Sequence, residues 1–563
     1  MKMQTYVLSC KTSTALHIGG QNRPDDVSDS MFRRTADGRI VLPGTSIAGA
    51  IRNHLTRIIP AMNGVIGKTT CDALTGIEKR DSNGDLLPCA CILCHLMGDI
   101  RPLNNNEADE DMGRASRLIV NDAILNPNAT HIRDGVGIDR ISGTASRQAQ
   151  AKFDLETVPA NVPFELVLEL EDYTDVDAYL LQLALHEWQS GRIHVGGNSS
   201  RGMGLIAITD IKEVTYDLAK PANLLAYLKH DASSAKTYQN VPAPKRHSAY
   251  FAGYQAQVDS VQHWLDIRFQ LAASGFFLTN DTTQAIADNL DHYSNKFIPG
   301  SSLRGAIRNH AERIARTIAN WRAGNEAEFL AICPASDPLV MRWSHHDTGL
   351  ESTTSRIDRS QTLSPEIMLK PPKQYFDLAE QLFGTTLHGS RLRVEDAQLS
   401  GKAFWKKIDF VAIDRFTGGA ADKMKFDAYA LWQPTFACRM FFEAPEAWEI
   451  GWLLQVFEDM QAGLVPVGFG AAKGFGDVHL NNLELNLGYA HAEVLPKLKP
   501  VDDKDDFFKL TTLDNRQDYI QEWRDRVNNF TVHADLPHNF FEDPYWSGGI
   551  ATLYPRNGGL NHG

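Results

Sequence analysis

The chain repeats itself, and the repeat restricts its fold more than any other feature. Residues 43–54 read PGTSIAGAIRNH and residues 299–310 read PGSSLRGAIRNH, nine of twelve positions being identical at an offset of 256. Three more pairs follow in the same order: MGD…GRASRLIVNDA (97–123) with FGTTLHGSRLRVEDA (383–397), GIDRISGTASRQAQAKFD (137–154) with AIDRFTGGAADKMKFD (412–427), and VGGNSSRGMGLIAI (195–208) with VGFGAAKGFGDVHL (467–480). A single match is weak; four in order are a duplication. The 563 residues exceed what one hydrophobic core supports, so at least two domains are expected. The halves run from about 1 to 215 and from about 260 to 490. Between them, 216–259 contains a polar stretch with Lys and Pro at 220–247 that reads as a linker, and 491–563 is an extension.

Both halves predict the same elements. An opening strand (5–17; 264–278) leads through a loop to a short strand ending at Pro-Gly. A helix then begins at Thr45/Ser46, or at Ser301/Ser302, where a hydroxyl can cap free amides. Ile47, Ile51, Leu55 and Ile58 give it an apolar face at helical spacing. Residues 176–189, matched by 446–461, predict a second helix, and each is followed by a Gly-rich hairpin and a last strand. The class is α+β, with two tandem ferredoxin-like or RRM-like domains. That fold hosts many activities, so function must come from the site.

Composition excludes some classes. With 43% hydrophobic and 22% charged residues the chain reads as soluble, without a signal-like h-region or a run of membrane-span length. The balance of 56 basic against 69 acidic residues, a net −13, argues against a non-specific nucleic-acid binder but leaves room for a local basic groove. The cysteine cluster suggests a reducing cytoplasm and a metal.

Several motifs carry chemistry. The two Pro-Gly segments place amides and the hydroxyls of Ser46 and Ser302 at a helix N-terminus, which favours phosphate. Arg52 and Arg308 follow about two turns in, and Arg304 about one; guanidinium matches phosphate bidentately. In GGNSSRGMG and GFGAAKGFG, Arg201 and Lys473 occupy equivalent places in backbones that can approach another backbone closely. Neither segment is a P-loop. Cys71, Cys89, Cys91 and Cys94 are four thiols that suit a tetrahedral structural zinc with no open position. Asp25, Asp26 and Asp29 make the loop before LPG acidic, a feature that is more often solvated than catalytic.

The ordered set LHIGG, LPGTSIAGAIR, CHLMG, GIDRISG and GGNSSRGMG, with FIPGSSLRGAIR, LFG, AIDRFTG and GFGAAKGFG in the second half, resembles the RAMP superfamily. Within it the resemblance is to backbone (Cas-seven-type) subunits of type III CRISPR effectors, and the whole chain resembles a natural fusion of two. The resemblance implies a filament that holds guide crRNA. It also implies β-hairpin thumbs, here 132–153 with Arg140 and 410–426 with Arg415, that displace bases of the guide–target duplex. It implies a zinc-binding insertion at about 65–98, held by Cys71, Cys89, Cys91 and Cys94, with zinc absent from the second half. It further implies a cutting aspartate about fifteen residues before Pro-Gly, which points to Asp29 first and Asp26 second, with Mg²⁺ or another divalent cation. In the second half nothing acidic lies at that spacing, and Asp281 and Asp288 are the nearest candidates. The implied partners are target RNA, further backbone subunits, the large polymerase/cyclase-like subunit and the RAMP subunit that binds the 5′ handle, in a prokaryotic cytoplasm. The functional alternatives are an RNA-guided endoribonuclease and a non-catalytic RNA-binding scaffold.

Overall fold

The computed structural model describes residues 1–20, 28–63, 91–99, 115–127, 130–138, 145, 152–229, 231, 233–242, 263–337, 351–360, 362–488 and 511–536. In the first half these form β1 (Lys2–Thr12), α1 (Gly44–Asn63), α2 (Ile92–Met97), β2 (Leu118–Val120), β3 (His131–Val136), β4 (Lys152–Thr157), β5 (Pro163–Glu171), α3 (Asp175–Gln189) and β6 (Ile206–Asp217). The second half gives β7 (Trp264–Ala273), β8 (His292–Tyr293), α4 (Gly300–Arg322), α5 (Leu378–Phe383), β9 (Leu392–Val394), β10 (Phe404–Ile413), β11 (Ala420–Trp432), β12 (Thr435–Glu443), α6 (Ala447–Gln461) and β13 (Val478–Gly488).

The two main sheets have one plan. In the first, β1 lies antiparallel between β5 and β6, with β2 outside β5. In the second, β7 lies antiparallel between β12 and β13, with β9 outside β12. Tyr6, Leu8 and Cys10 alternate inward along β1, as a half-buried strand requires. The stripe Ile47, Ile51, Leu55 and Ile58 is buried against that face, as its spacing predicted. In α4 the stripe is Leu303, Ile307, Ala311, Ala315 and Ala319, all fully buried.

Each Pro-Gly helix is also fastened to its second helix by a histidine. His54 Nε2 lies 2.9 Å from Glu187 of α3, and His310 Nε2 lies 2.7 Å from Asp459 of α6. Glu187 is completely buried and also accepts from Arg192 at 2.6 and 2.5 Å. Burial alone would raise its pKa, but Arg192 and then His54 outweigh burial and hold it below the ordinary carboxylate range.

Three expectations change. The 220–247 stretch is partly structured: a helix, Pro221–Leu228, follows β6, and Lys236–Tyr238 adds a fifth strand beside it, because its apolar residues reach the first core at Val241. The extension joins the second core: Thr511–Thr512 pairs with β13, and Trp523 of helix Arg516–Asn528 stacks on Trp452 of α6 at 4.2 Å. The second hairpin runs from Phe404 to Trp432, longer than the 410–426 expected, and forms its own sheet with β8 and Phe276–Phe277. Residues 539–546 of the extension lie outside the described residues. Among the described residues no helix is long and apolar enough to cross a membrane.

Replacing Glu187 with Gln should cost about 3–5 kcal/mol, because it leaves the Arg192 charge buried without its counter-ion. The depressed pKa sets the sign with pH: this stabilisation is present above the ordinary glutamate value of 4.5 and fades as pH falls below it. Denaturant unfolding of both proteins at pH 7 and pH 4 measures the difference, which should narrow at the lower pH.

Candidate nucleic-acid interface

The Pro-Gly helix starts are built differently from the expectation. Neither serine caps its helix through the hydroxyl. Instead Gly44 N–H donates to Asp122 at 2.8 Å, and Gly300 N–H donates to Asp396 at 2.7 Å, so a carboxylate from the connection between two short strands takes the first amide. Ser46 and Ser302 N–H donate to the Pro43 and Pro299 carbonyls at 3.0 and 2.9 Å. Glycine is required here because a Cβ would collide with the carbonyl of Val120 in one half and Val394 in the other. The physical reason for the correction is that a carboxylate, already negative, satisfies the helix end better than a hydroxyl.

The Gly-rich loops match closely. Asn198 and Gly470 are left-handed, a single 3₁₀ turn follows (Ser199–Arg201; Ala471–Lys473), and Gly202 and Gly474 are left-handed again. Each loop cation rests on a hairpin aromatic, Arg201 on Phe153 at 5.3 Å and Lys473 on Phe426 at 4.3 Å. The shared KFD of β4 and β11 is the sequence trace of this contact. Met203 and Phe475 are buried in the cores. The first loop also packs on the second half: Gly202 lies against Val394 and Asp396, and Gly300 against Arg201 and Gly202.

That packing brings three expected residues together. Arg201 lies within Coulomb reach of Arg308, and Arg304 within reach of both. Arg304 and Arg308 share the Phe383 ring, at 5.9 and 5.7 Å. Arg308 is buried and pairs with Glu312 at 2.7 Å, but Glu312 also serves Arg316 at 3.4 Å. Arg304 donates to the Phe383 carbonyl, and neither it nor Arg201 has an ion-pair partner among the described residues. Burial, then the charges of Arg308 and Arg201, push the Arg304 pKa down to about 9. The junction between the halves therefore gathers a cluster of guanidinium groups, a chemistry that matches phosphate.

The remaining candidates are spread out. Arg52 donates to Cys94 Sγ at 3.0 Å, tying α1 to α2. Arg415 is exposed at the tip of the second hairpin. Asp414 does not pair with it; Asp414 accepts from the Phe416 and Thr417 amides at 2.9 and 2.7 Å and shapes the turn. Beside it, Phe416 is fully exposed. Arg140 lies outside the described residues. So do Cys71 and Cys89, while Cys91 and Cys94 are buried at the N-terminus of α2, where Cys91 Sγ accepts from the Cys94 amide at 3.3 Å.

Asp29 accepts from the Asp154 amide at 2.9 Å, beside a parallel bridge between Ser30 and Leu155. Asp154 is raised by burial, then by Asp134 and Asp29. Asp26 lies outside the described residues. Asp281 and Asp288 do not take the corresponding place: Asp281 caps a short helix by accepting from the Gln284 amide, and Asp288 accepts from the Gln284 side chain. The residue at that place is Asp291, which spacing to Pro-Gly does not reveal. Among the described residues no group of three or more His, Cys, Asp or Glu is placed to hold a metal ion.

Comparison with known proteins agrees with the internal symmetry. The RAMP superfamily matches residues 9–207 and again 277–479, so the chain belongs to that superfamily and carries its domain twice. A curated relative, the CRISPR system Cms endoribonuclease Csm3 of Methanocaldococcus jannaschii, is 28% identical over 209 residues, covering 35% of this chain and 75% of the relative.

Arg304→Met should leave the thermal midpoint at low salt unchanged or a few degrees higher, about 2–4 °C per kcal/mol of relieved charge. Binding of a short single-stranded RNA should weaken about tenfold, the loss of roughly 1.4 kcal/mol of charge-assisted contact. Scanning calorimetry and fluorescence anisotropy check the pair of outcomes.

Proposed function

We propose that the chain is a guide-RNA-binding backbone subunit of a type III CRISPR effector that cuts complementary target RNA. The observation that carries this reading is the cluster of Arg201, Arg304 and Arg308, assembled from two successive RAMP modules at their joint. A polynucleotide crossing from one half to the other would place a phosphate there and supply negative charge. Base pairing to the guide, rather than side chains, would set the sequence. The name of the M. jannaschii relative supports membership of a CRISPR system and an endoribonuclease activity. The order β2–β5–β1–β6, repeated as β9–β12–β7–β13, supports the ferredoxin-like reading of each half.

For cleavage, Asp29 is the first candidate and Asp26 the second. A 2′-oxygen of the target attacks the adjacent phosphorus, the bond to the 5′-oxygen breaks, and the 2′ proton leaves while the 5′-oxygen gains one. The products are a 2′,3′-cyclic phosphate and a 5′-hydroxyl. Asp29 would orient or deprotonate the 2′-hydroxyl of a nucleotide displaced by the neighbouring hairpin of β3 and β4. A divalent cation bound by the same loop would stabilise charge on the phosphate. In the assembled complex Asp29→Asn should lower target cleavage at its positions by about 100-fold with guide binding retained. An intact cleavage ladder would instead favour the scaffold reading, in which Asp29 only ties its loop to the Asp154 amide.

Cys91 and Cys94 fit half of a tetrahedral site: both thiols are buried, three residues apart, and Arg52 donates to one of them. With Cys71 and Cys89 they would hold one structural zinc per chain. Elemental analysis should find one zinc, and Cys94→Ser should abolish it while lowering the stability of the first half.

A further inference from the structure

We propose that Asp291 is the cutting carboxylate of the second half, the counterpart of Asp29. The proposal rests on the reading of Asp29 above and extends it to a residue that linear spacing conceals. Asp29 lies fourteen residues before Pro43, whereas Asp291 lies eight before Pro299. The six extra residues of the first half are accounted for by a small turn, in which Gly38 N–H donates to the Thr35 carbonyl at 2.9 Å and Arg34 bridges to Ile40. Counting back from Pro-Gly therefore lands on the wrong residue.

Strand register identifies the right one. The KFD of β4 and β11 aligns Asp154 with Asp427 and Leu155 with Ala428. Ser30 makes a parallel bridge to Leu155, and His292 pairs in parallel with Ala428. The residue preceding each is Asp29 and Asp291. The hydrogen bond agrees: the Asp154 amide donates to Asp29 at 2.9 Å, and the Asp427 amide donates to Asp291 at 2.9 Å. Across the hairpins Asp154 faces Asp134, and Asp427 faces Asp409. The loop cation and hairpin aromatic beside them also correspond, Arg201 with Phe153 and Lys473 with Phe426. Thus the whole neighbourhood of Asp29 recurs around Asp291, including the hairpin that would displace a nucleotide.

One difference concerns charge. Lys407 pairs with Asp427 at 2.8 Å and Lys425 with Asp409 at 3.5 Å. Ile132 occupies the register position of Lys407 in the first half. Lys425 corresponds to Lys152, which lies 3.8 Å from Asp154, so Lys407 is the ammonium group that the second site adds next to its carboxylates. Such a cation can stabilise the phosphate as the 2′-oxygen attacks and the bond to the 5′-oxygen breaks, with the 2′ proton passing to Asp291 and one supplied to the leaving oxygen from water.

The test compares the wild type, Asp29→Asn, Asp291→Asn and the double variant in the assembled guide-bound complex, mapping cuts on an end-labelled complementary RNA. Asparagine keeps an acceptor for the Asp427 amide, so the loop stays tied. Asp291→Asn is expected to remove one set of cuts by about 100-fold while guide content and the Asp29-dependent set persist. If Asp29→Asn removes its set and Asp291→Asn leaves every cut, Asp291 is not catalytic and the reading of Asp29 stands. If neither single variant nor the double variant changes the ladder, the reading of Asp29 falls as well. If Asp291→Asn lowers guide content and all cuts together, Asp291 is a structural tie and the proposal fails.

Discussion

The carboxylate of Asp396 is the contact on which the two halves depend. One of its oxygens accepts the first amide of α4, at Gly300. The same carboxylate receives both terminal nitrogens of Arg133, from β3 of the first half, at 3.1 and 2.8 Å. The group is almost fully buried, so its charge is tolerable only while both partners are present. Other links cross nearby: Arg439 donates to the Ser190 carbonyl, Arg393 to the Arg192 carbonyl, and Arg57 pairs with Glu443. Arg192 in turn covers the Trp264 ring at 4.8 Å. The duplicated modules are therefore locked by buried polar contacts of fixed geometry, and not only held by the intervening chain.

This lock explains the position of the arginine cluster. Helix spacing placed Arg304 and Arg308 on one face of α4, but spacing cannot say that the other module's loop closes over that face. Gly202 and Gly300 permit the approach, since either Cβ would strike backbone. The result is a concentration of positive charge in which Glu312 is shared between Arg308 and Arg316.

Much of the architecture was legible in the residues because a duplication tests itself. The apolar stripe of α1, the second helix of each half and the Gly-rich turns all fell where periodicity put them. Three features were not legible, each for a definite reason. The carboxylate caps come from Asp122 and Asp396, which are distant in sequence from the amides they hold. The helix and strand within 220–247 depend on a sheet edge and on a core contact at Val241, neither of which their polar composition reports. Asp291 was hidden by a difference in loop length, while the KFD that does mark its position lies more than a hundred residues away in sequence. Counting along the chain fails across a loop that has gained a turn; pairing between strands does not.

Having two modules on one chain also has a kinetic meaning. When neighbouring grips on a polymer belong to separate molecules, each must arrive, and each can leave, by itself. On the proposed reading the second grip would be delivered at a high local concentration as soon as the first engaged, and the buried contacts between the halves would remove most of the search. The distance between the two grips would then be a property of the polypeptide, unaffected by how much protein the cell contains.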